Sequence, residues 1–172
     1  MPILTAAGIM ILSSTKRKAQ DLETVPYVDL EKYAGEWFEI ASFPQIFQKG
    51  CTNTKAIYTP NEDGTIQVEN SCNLSEKGKT RTTTAKAFVV NNSGNAKLNV
   101  QFFWPLKGKY WIIDLARDYS YAVVGHPNRK YLWILSRTPE MDAKLYSQII
   151  ERAEEKGFDL SKLEKTIHSE DL

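Results

Sequence analysis

The feature that most constrains this chain is a series of eight short runs, each rich in β-branched and aromatic residues and each bounded by turn signals. They cover residues 35–43, 51–59, 65–72, 81–90, 97–104, 110–116, 121–125 and 131–137. Pro60-Asn61-Glu62-Asp63-Gly64 separates the second run from the third. Its Asp-Gly pair marks a hairpin, because glycine accepts a positive φ. Asn91-Asn92-Ser93-Gly94-Asn95, Lys107-Gly108, Arg117-Asp118-Tyr119-Ser120 and Pro127-Asn128-Arg129-Lys130 punctuate later runs. In the fifth run Leu98, Val100 and Phe102 alternate with Asn99 and Gln101, the period of a strand with one buried face. Regularly spaced strands joined by short turns predict an all-β domain, either a sandwich or an up-and-down barrel.

The first run begins with Gly35-Glu36-Trp37. Gly35 sits where the chain must turn sharply into the strand, and Trp37 can plug one end of a closed sheet if its N–H finds a partner. Gly-x-Trp is a weak signal taken alone. Before it, residues 28–33 predict one helical turn capped by Asp29. After it, the loop at 44–50 carries Ile46 and Phe47, either as a greasy rim or lid beside an opening or as side chains tucked into the core.

After the eighth run the period changes. Met141, Leu145, Ile149 and Ala153 recur every four residues, and Ile150 widens the stripe. The spacing predicts an amphipathic helix of about five turns, with Thr138 as N-cap, Pro139 in the first position and Gly157 at the C-terminus, docked outside the sheet. Residues 163–168 read as a short closing strand.

At 172 residues the chain is long enough for one domain with a sizeable core. A formal charge of +1 does not point to a nucleic-acid partner or an anionic membrane. His126 and His168 stand far apart, no His/Cys cluster has zinc-ligand spacing, and neither a metal nor a cofactor is expected. No apolar run of about 20 residues is present to cross a bilayer as a helix. Residues 1–21 are set apart from the fold, leaving a domain over 22–172. The apolar stretch from Ile3 to Leu12 resembles the core of an export signal but has no preceding Lys or Arg, so an export signal with a trimmed start and a disordered segment are both open readings.

The two cysteines pose a question of register. Folding the hairpin at Asp63-Gly64 places Tyr58 near Ile66 and Cys51 opposite or nearly opposite Cys72. That pairing predicts a disulfide, while a slip of one residue would put the two on opposite faces. A bridge implies an oxidising compartment; the alternative is two buried thiols in cytosol.

Three local signatures fall at fixed places on this order: Gly35-x-Trp37 in the first strand, Asp118-Tyr119 in the turn after the sixth, and Arg137 at the end of the eighth. Together they resemble the three motifs of the lipocalin family. The stretch from Asp29 to Phe158 is similar to the bacterial outer-membrane lipocalins, apolipoprotein D and the plant temperature-induced lipocalins. The segments 35–41, 131–139 and 157–159 carry most of the likeness. The resemblance implies an eight-stranded antiparallel barrel with one helix packed outside. Gly35, Trp37, Asp118, Tyr119 and Arg137 would form its closed end, with Arg137 lying across the Trp37 ring. Arg117 stands where the family usually has Thr, and the lipoprotein Cys of the bacterial members has no counterpart.

The resemblance implies a binder or carrier of a small hydrophobic ligand, a fatty acid or lysophospholipid, with a role in membrane lipid storage or repair. It also implies an exported protein of the periplasm or outer membrane; a cytoplasmic one is the alternative if the N-terminus is no signal. Candidate cavity liners are Trp37, Ala41, Tyr58, Phe88, Val100, Phe102, Tyr110, Ile112 and Trp133. Arg81, Lys97, Lys109 or Tyr110 would meet a carboxylate or phosphate at the mouth. A catalytic alternative is a lipid isomerase using Cys51 or Cys72, which requires a reduced, inward-facing thiol. The sequence lacks Gly-x-Ser-x-Gly and a phosphate loop, and no enzyme is expected. An interaction alternative uses Phe103, Trp104, Pro105 and Leu106, or the rim at Ile46 and Phe47, as a patch for a partner, a second copy in a homodimer, or a membrane surface.

Overall fold

The computed structural model describes residues 21–74, 78–103 and 106–169. Residues 1–20, with the export-signal reading, and Trp104 and Pro105 of the aromatic patch lie outside them. A one-turn helix α1 (Leu30–Tyr33) leads into β1 (Gly35–Ser42). The chain continues through β2 (Cys51–Pro60), β3 (Ile66–Leu74), β4 (Lys79–Val89) and β5 (Lys97–Phe103). Then come β6 (Leu106–Leu115), β7 (Tyr121–Gly125), β8 (Leu132–Ser136), α2 (Ala143–Glu155) and a two-residue β9 (Glu164–Lys165). Each strand from β2 to β8 pairs antiparallel with the next, β8 pairs with β1, and β1 returns to β2. The eight strands therefore close into an up-and-down barrel, with β9 added against β1.

The closure is partial in an informative way. β1 pairs with β2 only from Gly35↔Tyr58 to Phe38↔Lys55. Beyond that point the C-terminal tail enters: Ala41 pairs with Lys165, Thr166 N–H donates to the Ile40 carbonyl, and Asn53 N–H donates to the Ile167 carbonyl. The tail bridges the two strands where they part, so backbone groups that would otherwise form an open edge are paired.

Two apolar layers hold the molecule. One fills the barrel from its closed end and includes Trp37, Tyr58, Ile66, Val68, Leu98, Val100 and Ile112. The other lies between the outer face of the sheet and α2, where Ile149 and Ala153 meet Leu132, Ile134 and Phe158. The helix is shorter than its apolar spacing predicts. Asp142, not Thr138, is the N-cap, its carboxylate accepting from Leu145 N–H. Thr138 instead turns its hydroxyl to the Glu140 carbonyl, within the link that leaves β8. A carboxylate at the cap also complements the helix dipole, which a threonine cannot do.

In the sequence Gly94 is one residue of a turn, yet its position is dictated by tertiary contact. A Cβ there would lie 2.0 Å from the Pro26 carbonyl oxygen, because the N-terminal segment crosses this turn and Val28 N–H donates to the Gly94 carbonyl.

Candidate functional site

The closed end is built on Arg137. Its guanidinium stacks 3.8 Å from the centre of the Trp37 ring. It donates to the carbonyls of Glu36 (2.7 Å), Lys32 (2.8 Å), Tyr33 (3.3 Å) and Tyr119 (3.3 Å). The Trp37 indole N–H donates to the Tyr33 carbonyl at 2.8 Å, so the buried ring leaves no donor unpaired. Gly35 adopts φ +91°, and a Cβ there would make only ordinary contact with Arg137, so the backbone angle rather than space calls for glycine. Tyr119 ties the floor to the N-terminal turn by accepting the Asp29 N–H at its hydroxyl. Asp118 contributes to the closed end through the turn that carries Tyr119. Its carboxylate is solvent-exposed and shapes the turn by accepting Ser120 N–H; the Ser120 hydroxyl first, and then this N–H, lower its pKa.

Register sorts the remaining residues, because directly paired residues on antiparallel neighbours share a face. Trp37, Tyr58, Val100, Tyr110, Ile112 and Trp133 turn to the lumen side. Ala41 does not. A bulge between Glu39 and Ala41 reverses the parity of β1, and Ala41 packs in the layer beneath α2. Phe88 is also outward: it alternates with the inward Ala85 and Ala87 and is 38% exposed. Of Phe102, Phe103 and Phe47 only the backbone belongs to the description. Lys97 and Lys109 both stand outside, near the outer Trp111 ring. Ile46, in the loop after β1, is 97% exposed, so it is not tucked into the core.

Arg81 is the mouth cation that does turn inward. It pairs with Cys72, two positions beyond Asn70↔Thr83 on the face that carries Val68↔Ala85 deeper in the barrel. Cys51 and Cys72 form the expected disulfide, and Arg81 Nη2 lies 3.0 Å from one sulfur and 3.8 Å from the other. The register differs in detail from the expectation. Tyr58 pairs with Val68 rather than standing near Ile66, and Cys51 pairs with Leu74. An irregularity between Thr52 and Lys55 accompanies the shift, and the two cysteine Cα atoms are 5.4 Å apart.

Sequence reasoning missed two polar features of the lumen. Glu39, 7% exposed, pairs with the inward Leu135. Its carboxylate accepts from Ser42 Oγ, Gln48 Nε2 and Thr166 Oγ1, so the buried charge is met from three directions. The second is a chain of three phenols: Tyr33 and Tyr58 each hydrogen-bond the Tyr110 hydroxyl, at 2.7 and 2.9 Å. Burial is the main cause that raises all three pKa values, Tyr58 to about 12, so all remain protonated at neutral pH. No signal in the sequence announces such a cluster, since its members come from α1, β2 and β6.

From floor to rim the lumen therefore changes character. Trp37, the phenols and aliphatic side chains share the closed end, Glu39 follows Trp37 on the inward face of β1, and Asn70, Thr83 and Arg81 line the wall toward the open end. Among the described residues no group of three metal-ligating side chains occurs.

A lipocalin-like domain family matches residues 28–168. Temperature-induced lipocalin-1 of Arabidopsis thaliana is 42% identical over 160 residues, covering 88% of this chain and 85% of that protein. Outer membrane lipoprotein Blc of Vibrio cholerae is 36% identical over 155 residues, covering 90% and 91%. Among solved structures, insecticyanin from the tobacco hornworm Manduca sexta superimposes with a TM-score of 0.70 at 22% identity, over 87% of this chain and 86% of that one, a likeness of fold. With its barrel, its arginine-capped floor and these relatives, the chain belongs to the lipocalin family, whose members bind small hydrophobic ligands.

Proposed function

We propose that this protein holds a single fatty acid or lysophospholipid in its barrel and carries it, in the service of membrane lipid storage or repair. The observation that supports this most directly is the contrast between the largely apolar cluster that fills the barrel from its closed end and the inward, cationic Arg81 toward the rim. A hydrocarbon chain gains by leaving water for the lower wall, while a carboxylate or phosphate stays near the guanidinium at the rim. The exposed Ile46 beside the open end is where the barrel would touch a membrane that supplies the lipid. The disulfide and the outer-membrane naming of the Blc relatives support an exported protein. The isomerase reading is the weaker one, because the bridge ties up both sulfurs and leaves no thiolate at the mouth.

Native mass spectrometry on protein purified from its own host, before and after organic extraction, tests the carrier reading. A released lipid of a few hundred daltons supports it and names the class. A barrel that arrives empty, and whose tryptophan emission does not respond to added fatty acid or lysolipid, refutes it.

A further inference from the structure

The three phenols contain a counting problem. Each hydroxyl has one hydrogen to donate. The chain Tyr33–Tyr110–Tyr58 contains two hydrogen bonds, and none of the three hydroxyls bonds any other described residue. Three arrangements of the hydrogens are allowed. Donation runs from Tyr33 through Tyr110 to Tyr58, or in the reverse order, or both outer phenols donate to Tyr110. In every one of them a single O–H is left over. Tyr33 is 1% exposed and Tyr58 5%, so a spare hydrogen on either is deep in the barrel, where an unmet polar hydrogen is costly. Tyr110, the shared member, is only half-buried and faces the lumen.

The surroundings say what acceptor belongs there. The Glu39 carboxylate is close enough to Tyr58 to oppose its ionisation, and burial opposes negative charge at all three oxygens. Arg137 at the floor partly offsets this at Tyr33, but its N–H groups already serve the floor carbonyls. The inward Arg81 lies near the rim, beside the disulfide. A second anionic group would thus meet a donor in a site where burial outweighs the pull of Arg137, whereas an uncharged oxygen meets the donor without that penalty.

We infer that the ligand of this barrel carries an uncharged oxygen acceptor, such as a ketone, ester or ether oxygen, at the end remote from its charged head, and that the Tyr33–Tyr110–Tyr58 cluster receives it. This rests on the carrier reading and narrows it from any amphiphilic lipid to one oxygenated along its chain. A plain hydrocarbon tail would leave the spare O–H unpaired.

The test is a displacement titration with hexadecanoic acid and a positional series of oxo-hexadecanoic acids, which share the carboxylate and the chain length. In the wild-type protein one position in the outer half of the chain should bind about tenfold tighter than hexadecanoic acid, the gain expected when a buried donor acquires a partner. Tyr58→Phe should keep that preference, since the remaining pair of phenols has two hydrogens and one bond. The triple variant Tyr33→Phe/Tyr58→Phe/Tyr110→Phe should lose it while still binding hexadecanoic acid. Should every oxo acid bind no better than hexadecanoic acid to the wild-type protein, a water or nothing at all serves the donor and this inference falls, with no variant needed. Should neither hexadecanoic acid nor any oxo acid bind, the carrier reading falls with it.

Discussion

Two arginines mark the two ends of this barrel, and they are held in contrasting ways. Arg137 stacks on Trp37 and donates to carbonyls from four residues on three segments of chain. Arg81 faces the lumen beside a disulfide, among Asn70 and Thr83 rather than aliphatic side chains. The difference follows from what a ligand-holding barrel must do. Its floor can be packed as a core, but its upper wall must stay open to admit a guest. Packing density therefore cannot stabilise the mouth as it does the floor. A covalent link at Cys51–Cys72 and the tail strand against β1 do so instead.

The sharpest way to break this comparison is to remove the floor. Trp37→Ala deletes a fully buried ring and the stack with Arg137, and should cost about 3–5 kcal/mol in urea unfolding. A smaller loss than the disulfide variant suffers would show that the floor is not the better-packed end. Next in size is the staple. Cys51→Ser with Cys72→Ser frees a cross-link of sequence separation 21 and should cost about 3 kcal/mol, with amide exchange rising first in β2, β3 and the loop after β1. Exchange that rises equally at the closed end would erase the distinction.

The third test separates stability from binding. Arg81→Met should weaken a long-chain carboxylate by roughly tenfold and abolish most of the salt dependence of its affinity, with a smaller loss of urea stability than Trp37→Ala shows. Loss of fold without loss of affinity would reverse the roles assigned to the two arginines. The smallest effect lies outside the lumen. Asp63 accepts from Thr65 and Lys86 at the β2–β3 turn, and these contacts lower its pKa from 3.8 to about 2. A depressed carboxylate pKa favours the folded state above pH 4, and the benefit is lost as pH falls through 2. The melting-temperature gap between wild type and Asp63→Asn should accordingly be small at neutral pH and close between pH 4 and 2. A gap that persists below pH 2 would mean the side chain acts by packing.

Much of this architecture is local and so was readable in one dimension. The hairpin turns, the Asp29 cap and the apolar stripe of α2 each depend on neighbours within a few residues. Three corrections share another origin. Ala41 left the lumen because a bulge moved β1 by one residue, and no propensity marks that bulge. Phe88 is a liner candidate by hydrophobicity, but alternation with Ala85 and Ala87 sends it outward. Thr138 and Asp142 are both competent caps by residue type, and the route of the link from β8 to the outer wall chose between them.

By itself, then, the sequence determined the strand count and the single external helix, since hydrophobic period and turn chemistry act over short distances. Only the tertiary structure decided which side chains share the lumen. Tyr33, Tyr58 and Tyr110 stand up to 77 residues apart, and their hydroxyls meet because α1, β2 and β6 converge there. Glu39 is tolerable inside because Gln48 and Thr166 arrive from a loop and a tail on either side of it. Contacts of that kind are set by barrel closure and strand register, which depend on the whole chain at once.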